Sequence, residues 1–500
     1  MKPHRILQSA GIAAIILYPL YGANLTAPEA MRMHSPAPVT NYALAMIANL
    51  VFLTLLVSLL WLGISRTRLA AWLQVPLPGV LAASLLEAIY LYKGGVSSNK
   101  LWVITFLASL ALTFLLRGKW PRGYRGVLHG SHAVLMGMGM FSLLVVSQLV
   151  RMALWRPAPN FTENMPTVSA HPSGSHPRVV WILMDELSYD QVFEHRASGL
   201  ALPNFDALRQ SSTLFTNVQP ASEATQTAVP SILLGRVIDR ADFTSNNRYL
   251  VAFPGQQLQP FPAAETPFAL AQKQGLTTSV IGWYNPYCTM LAPYLNHCYW
   301  TREVLTPAAF IVGDGFWRNV SDAWVRYWIA LHPMQKQRPL VYSAKTYQDF
   351  MQRADTQFAQ ATPDFIFLHL PLPHPPGFYN RQTGQFDASN QRSYLDNLAL
   401  ADITLGQLLS TLQSSPRWAN TSIVLCGDHS WRTSLIWRKG RHWTPEDEAA
   451  SRGGVFDPRP MLMVHQAGQS TPATASQPFP LVRVHDILDS LVLGQQPNFE

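Results

Sequence analysis

Six apolar residues, Val179 to Met184, run straight into two acids, Asp185 and Glu186, and a second apolar stretch, Ser422 to Gly427, ends in Asp428-His429-Ser430. An apolar run followed at once by polar groups reads as a buried parallel strand that delivers its next residues to the carboxyl edge of an open sheet, where α/β proteins bind ligands. Forty residues after Asp185, Thr225-Gln226-Thr227-Ala228-Val229-Pro230-Ser231 reads as the start of a short helix ending at Gly235. A hydroxyl at a helix start sits among backbone N–H groups that favour phosphate-like anions, so Thr225 is the candidate nucleophile. Asp185, Asp428, His429 and the Thr225 hydroxyl together suit a tetrahedral or slightly expanded site for a borderline-hard divalent ion, Zn²⁺ or Mn²⁺. A threonine hydroxyl is a poor nucleophile at its free pKa, and direct metal coordination is one way to activate it.

Two further histidines belong to this argument. His374 lies in Leu370-Pro371-Leu372-Pro373-His374-Pro375-Pro376-Gly377, a proline-stiffened loop after an apolar strand, and His442 follows His429 by thirteen residues. Either can bind substrate oxyanions, protonate a leaving group or hold a second metal ion. Taken singly, such a histidine more often serves packing.

The elements that must position these residues alternate in the α/β manner from about residue 178. Strands are expected at 179–184, 277–281, 364–370, 422–426 and 460–464, and helices at 203–211, 267–274, 394–413 and 482–493. Residues 236–265 and 299–345 are poorly patterned and read as insertions near the site. Residues 157–177, rich in Pro, Ser and Gly, read as a linker between a membrane domain, 1–156, and the catalytic domain, 178–500.

The charge divides sharply. Residues 1–160 hold thirteen Lys and Arg against two acids, Glu29 and Glu87, which leaves 24 bases and 27 acids in the remainder. The basic excess therefore lies between apolar segments rather than on a soluble surface, and nucleic acid is not an expected partner. Five stretches, about 6–23, 43–64, 69–92, 101–116 and 127–150, are near or above the length that spans a bilayer core. Cytoplasmic ends rich in Lys and Arg place the N-terminus inside and everything after Arg151 outside. Glu87, beside Tyr90, Tyr92 and Lys93, reads as an interfacial residue or as a functional acid within a span. Cys288 and Cys298 are close enough to bridge in an oxidising compartment, whereas Cys426 in its apolar run reads as an inert core thiol.

In their order and spacing these motifs resemble the alkaline phosphatase and sulfatase superfamily. With the five-helix anchor, nearly the whole chain is similar to inner-membrane phosphoethanolamine transferases and lipoteichoic acid synthase. The resemblance maps a strand-ending carboxylate onto Asp185, and onto Thr225 a nucleophile ten residues before Gly235 and five before Pro230. It also matches the Asp-His pair to Asp428 and His429, the His-x-Pro loop to His374, and a later histidine to His442.

The resemblance implies a five-helix transmembrane bundle followed by an α/β sulfatase-like domain with a central mixed, mostly parallel sheet. It also implies a bacterial inner-membrane location with the catalytic domain on the periplasmic side. The expected activity is metal-dependent transfer of a phospholipid head group, phosphoethanolamine or phosphoglycerol, to an envelope glycan or lipid. A phosphodiesterase or sulfatase-type hydrolase and a non-catalytic lipid-binding regulator are the alternatives.

The chain departs from the family patterns in stated places. Thr225 lacks the Cys/Ser-x-Pro-x-Arg context that sulfatases need for formylglycine. Asp185-Glu186 replaces the Gly-Glu-Thr sequence of the phosphoethanolamine transferases, no acid follows the Asp-His motif, and no cysteine pair flanks the nucleophile. Glu186 is accordingly read as a group that supports the site from behind the ligands or binds substrate, rather than as a metal ligand.

Overall fold

A computed structural model of the chain describes residues 3–26, 39–65, 67–92, 99–156, 161–163, 176–301, 315–317, 319–321, 324, 338–360, 363–387, 392–433 and 443–499. These fall into two compact units. One comprises the N-terminal helices up to Trp155 together with the described residues between 310 and 328, and the other comprises the rest from Arg156 onward.

Among the described residues of the first unit, four helical stretches are long and apolar enough to cross a membrane: Thr40–Ile64, Arg68–Leu86, Trp102–Lys119 and Pro121–Leu154. The second is two helices, Arg68–Leu73 and Leu77–Tyr92, parted just before Leu77 at Pro76, which has no N–H to continue the ladder. The first expected span forms a 24-residue helix, Pro3–Thr26, outside those four. Its packing partner is Pro121–Leu154, and the contact depends on two glycines. A Cβ on Gly11 would lie 2.1 Å from the Leu135 carbonyl oxygen, and one on Gly139 would lie 2.0 Å from that of Leu7. Small residues let helix backbones approach this closely where lipid offers no hydrophobic drive. Gly139→Leu should therefore cost about 1–3 kcal/mol by overpacking, read as a lowered thermal midpoint of the detergent-purified protein. An unchanged midpoint would show that the approach is dispensable.

In the second unit nine strands form one sheet among the described residues. In chain order they are β1 (Phe161–Glu163), β2 (Arg178–Met184), β3 (Thr213–Phe215), β4 (Thr278–Trp283), β5 (His297–Thr301), β6 (Phe365–Leu370), β7 (Thr421–Gly427), β8 (Leu462–His465) and β9 (Ala473–Ala475). The spatial order is β1-β5-β4-β6-β2-β7-β8-β3-β9. The run from β5 to β7 is parallel, with antiparallel pairs at β1–β5, β7–β8 and β8–β3. The central strands are buried along their whole length, which is why they read as continuous apolar runs rather than alternating ones. Trp181 stacks on Phe367 of the neighbouring strand at 4.0 Å. The helix Tyr394–Gln413 covers the sheet through Leu398, Leu405 and Leu412, and Ser393 and Asp396 close a capping box at its start.

Three segments differ from expectation. The linker contains β1, which pairs with β5 at the sheet edge. Residues 236–265 hold a three-stranded antiparallel sheet, Arg240–Phe243, Tyr249–Ala252 and Gln259–Pro260. A 22-residue helix, Arg338–Ala359, begins inside the stretch without clear patterning, and its polar composition obscures the buried stripe of Phe350, Met351, Ala354 and Phe358.

Candidate active site

The register of three strands decides which residues meet. Met184, the last residue of β2, pairs with Leu370 at the end of β6 and with Gly427 at the end of β7. Asp185, Pro371 and Asp428 therefore leave adjacent strands at one level, and parallel neighbours lie about 4.8 Å apart. Gly427 permits this junction, since a Cβ there would stand 2.6 Å from the Leu187 carbonyl oxygen.

Thr225 begins the helix Thr225–Leu234, whose N-cap Ala224 supplies no side-chain acceptor to its first N–H groups. Pro230 within this helix cannot donate to the Gln226 carbonyl, and the Tyr249 hydroxyl donates to that oxygen instead at 3.3 Å. The poorly patterned sheet thus completes the nucleophile helix. The Thr225 hydroxyl donates to Asp185 Oδ2 at 3.1 Å and lies 3.4 Å from His429 Nε2.

Asp185, Asp428 and His429 are fully buried, and each offers a ligand atom within 4.8 Å of the others. Asp428 Oδ1 accepts from the backbone N–H groups of His429, at 2.9 Å, and Glu186, at 3.3 Å. Asp428 Oδ2 and Asp185 Oδ1 have no hydrogen-bond partner. His429 Nδ1 faces the Ser430 carbonyl at 3.1 Å, which holds the ring proton there and turns the Nε2 lone pair inward. From Nε2 the distances are 3.3 Å to Asp428 Oδ2, 3.5 Å to Asp185 Oδ1 and 3.4 Å to Thr225 Oγ1. Four ligands on bonds of 2.0–2.2 Å in a tetrahedron are separated by about 3.3–3.6 Å. The orphaned carboxylate oxygens, the oriented imidazole and these separations fit a divalent metal ion.

The electrostatics agree with that fit. Burial first, then the Asp428 charge, pushes Asp185 well above the usual carboxylate range. Burial also raises Asp428, and it drives His429 well below the usual imidazole range. A bound cation reverses the carboxylate shifts by favouring the ionised forms, and it takes the neutral imidazole as it stands.

Glu186 is not among the three residues grouped around the candidate ion. It is fully buried at a positive φ of 67°, and this left-handed turn aims its carboxylate at Arg432, whose Nε donates to Oε1 at 2.7 Å. Arg432 Nη1 also donates to the carbonyl of Glu223, two residues before Thr225, at 3.0 Å. Glu186 thus anchors an arginine beside the nucleophile loop. Arg432 escaped the sequence reading, although a cation three residues past His429 was a signal that could have marked it. Asn285 was also missed. It follows the carboxyl end of β4, the rule that found Asp185, and its amide donates to the Thr225 carbonyl at 3.3 Å.

His374 is buried with its ring against Trp283 at 5.2 Å, and its backbone N–H donates to the Asp185 carbonyl at 3.1 Å. The loop that carries it is clamped by the Asn397 amide, which donates to the carbonyls of Pro373, His374 and Pro376 at 3.4, 3.1 and 3.0 Å. Nothing in an asparagine of the first turn of Tyr394–Gln413 announced that role. His442 lies outside the described residues. Cys288 and Cys298 are joined by a disulfide, and Cys426 is buried with its thiol pushed up to about 12 by burial.

His369 on β6 is buried beside the site, and Tyr287 Oη lies 2.6 Å from its Nδ1. Burial pushes its imidazole down to about 4 from an ordinary 6.5. Because the folded value lies below the unfolded one, this histidine's stability contribution is complete above pH 6.5 and is lost as pH falls towards 4. The full span is worth about 3 kcal/mol. Across that interval wild type should lose thermal stability that His369→Gln does not, and parallel losses in both would exclude the assignment.

A hydroxyl at a helix start, set against two buried acids and an imidazole at the carboxyl edge of a mostly parallel sheet, defines a metal-dependent enzyme of the alkaline phosphatase and sulfatase class. The chain belongs to the sulfatase family, which matches residues 177–451. It is 22% identical over 275 residues to the N-acetylgalactosamine-6-sulfatase of Mus musculus, an alignment covering 51% of this chain and 50% of that protein. The chain thus spans about half the length of this curated relative. Among solved structures it is similar to the lipoteichoic acid synthase LtaP of Listeria monocytogenes, with 13% identity, a TM-score of 0.38, and coverage of 64% of this chain and 72% of that one. It is also similar to the phosphonate monoester hydrolase of Agrobacterium radiobacter, with 17% identity, a TM-score of 0.37, and coverage of 64% and 74%.

Proposed function

We propose that the protein is a membrane-anchored, Zn²⁺- or Mn²⁺-dependent transferase. It moves a phospholipid head group, phosphoethanolamine or phosphoglycerol, to an envelope glycan or lipid through a phosphothreonine at Thr225. The observation that carries the reading is the Thr225 hydroxyl, bonded to Asp185 at 3.1 Å and 3.4 Å from His429 Nε2 at the start of a helix. Threonine cannot take the sulfatase route through formylglycine, so phosphoryl chemistry is the reading that this residue favours.

Asp185, Asp428, His429 and Thr225 would hold a divalent ion, which would supply charge stabilisation to the phosphoryl oxygens and acidify the hydroxyl. Thr225 Oγ1 forms the new bond to phosphorus, its proton leaving along the hydrogen bond to Asp185, while the bond from phosphorus to the diacylglycerol oxygen breaks. His374 or His442 protonates that departing oxygen. Arg432 faces the developing charge from beside the nucleophile loop. An acceptor hydroxyl then attacks the phosphothreonine and returns a proton to Thr225 Oγ1. Anchoring suits this reaction because donor and acceptor are both confined to the membrane, which removes much of the encounter cost. In this reading the protein resides in the bacterial inner membrane with its catalytic unit on the periplasmic side. Water as the acceptor would make it a phosphodiesterase with the same groups.

Intact-mass spectrometry tests the reading after incubation of the detergent-purified protein with mixed bacterial phospholipids. An adduct of phosphoethanolamine or phosphoglycerol mass should appear on wild type and vanish in Thr225→Ala. Head group released without an adduct would favour the hydrolase, and neither adduct nor release, with metal bound, would overturn the proposal.

A further inference from the structure

The described residues between 310 and 328 lie in the chain between β5 and the helix Arg338–Ala359, both in the catalytic unit, yet they group with the N-terminal helices. Residues 316, 317, 319–321 and 324 are helical. Their anchor is Asn49, a polar residue only 1% exposed in the most apolar of the four spans, Thr40–Ile64. Asn49 lies nine residues into that helix, which places it roughly 14 Å from the helix start. An amide at such a depth has no water to bond and must find its partners in protein. It finds them here: Trp324 Nε1 donates to Asn49 Oδ1 at 2.7 Å, and Asn49 Nδ2 donates to the Val320 carbonyl at 3.3 Å.

The apolar side of the element continues the exposed face of the span. Trp324 meets Phe52 edge-on at 6.1 Å, and Phe52, 55% exposed, belongs to a row of exposed apolar side chains with Val51, Leu55 and Leu59. At the other end of the segment Phe316 packs against Trp317, a residue 78% exposed. A single face that joins a membrane span to a nearly bare tryptophan is what interfacial aromatic anchors present to lipid.

We infer that the described residues between 315 and 324 belong to a membrane-inserted element, tied to the Thr40–Ile64 span through Asn49 and Trp324, whose exposed Trp317 is covered by lipid. The occupant is the bilayer at the Thr40 end of the spans, because the face is continuous with a lipid-facing row. The inference rests on the membrane reading of the N-terminal unit.

The test is a cysteine-attached fluorophore, since the two bridged cysteines and buried Cys426 leave an introduced thiol as the reactive one. Trp317→Cys, labelled with an NBD maleimide in the full-length protein, is reconstituted in phosphatidylethanolamine–phosphatidylglycerol vesicles. Leu59→Cys reports a span, and Thr471→Cys reports the exposed surface of the catalytic unit. The label at 317 should be shielded from aqueous iodide, quenched by lipid-borne nitroxide and blue-shifted like that at 59, whereas the label at 471 is quenched by iodide. Adding Asn49→Ala should move the 317 label towards the behaviour of 471. Iodide access at 317 with shielding at 59 overturns the inference alone, and iodide access at both overturns the membrane reading beneath it. A 317 label indifferent to Asn49→Ala overturns the tether.

Discussion

Thr225→Ala is expected to reduce turnover by a factor on the order of 10⁴ to 10⁶, the scale seen when a covalent nucleophile is removed. The folded state should hardly notice. The change deletes one hydroxyl, whose bond to Asp185 lies inside the site, and one methyl group, and alanine is a better helix former than threonine in Thr225–Leu234. Metal content should be retained, because Asp185, Asp428 and His429 remain. Thr225→Ser keeps an oxygen in the same position and should recover measurable activity, which separates loss of the nucleophile from loss of shape. The check is steady-state release of diacylglycerol from phospholipid by the three proteins at matched metal content. Activity in the alanine variant within about tenfold of wild type would remove Thr225 from the covalent role.

The second large effect concerns Asp428→Asn. The two oxygens of Asp428 have separate duties: Oδ1 accepts the backbone N–H groups of Glu186 and His429, while Oδ2 is orphaned and faces His429 Nε2 at 3.3 Å. An asparagine can keep the first duty with its carbonyl, but it then points an amide N–H₂ where a cation would bind. Metal affinity and turnover should both fall by at least about 10². Stability without metal should move the other way. In the metal-free protein Asp185 and Asp428 are buried neighbouring acids, both raised by burial, and Asp185 is raised further by its neighbour. Acids with raised pKa values bind more protons folded than unfolded, so the metal-free wild type should lose stability as pH rises from the carboxylate range to neutrality. Removing one charge relieves this. At neutral pH the chelated variant should melt higher than chelated wild type, while added Zn²⁺ or Mn²⁺ should raise the wild-type midpoint and leave the variant's nearly unchanged. Equal responses of both proteins to metal, followed by thermal melts in detergent, would place the cation elsewhere.

Asp185, Asp428 and His429 were legible because a strand buried on both faces has to be apolar throughout, so the first polar residue after it marks the sheet edge. The same logic located five strands of the main sheet and four helices of the catalytic unit to within a residue or two, and passed over the short outer strands β1, β3, β5 and β9. It failed at Arg338–Ala359, where a narrow buried stripe is masked by polar neighbours, and at 236–265, whose short strands gain meaning only when Tyr249 reaches the Gln226 carbonyl.

What the chain's linear order determined by itself was a set of site residues and a block suited to a membrane: two acids and an imidazole at ends of apolar runs, a hydroxyl at a helix start, and long apolar segments before them. Tertiary structure alone decided register and partnership. It aligned Met184 with Leu370 and Gly427 so that two carboxylates leave at one height. It set Glu186 against Arg432, and it tied Trp324 to Asn49 across 275 positions of sequence. The physical reason is range. Burial of a strand is a local average over consecutive side chains and leaves its mark in composition, whereas a hydrogen bond or ion pair depends on where two distant backbones come to rest, and no local pattern records that.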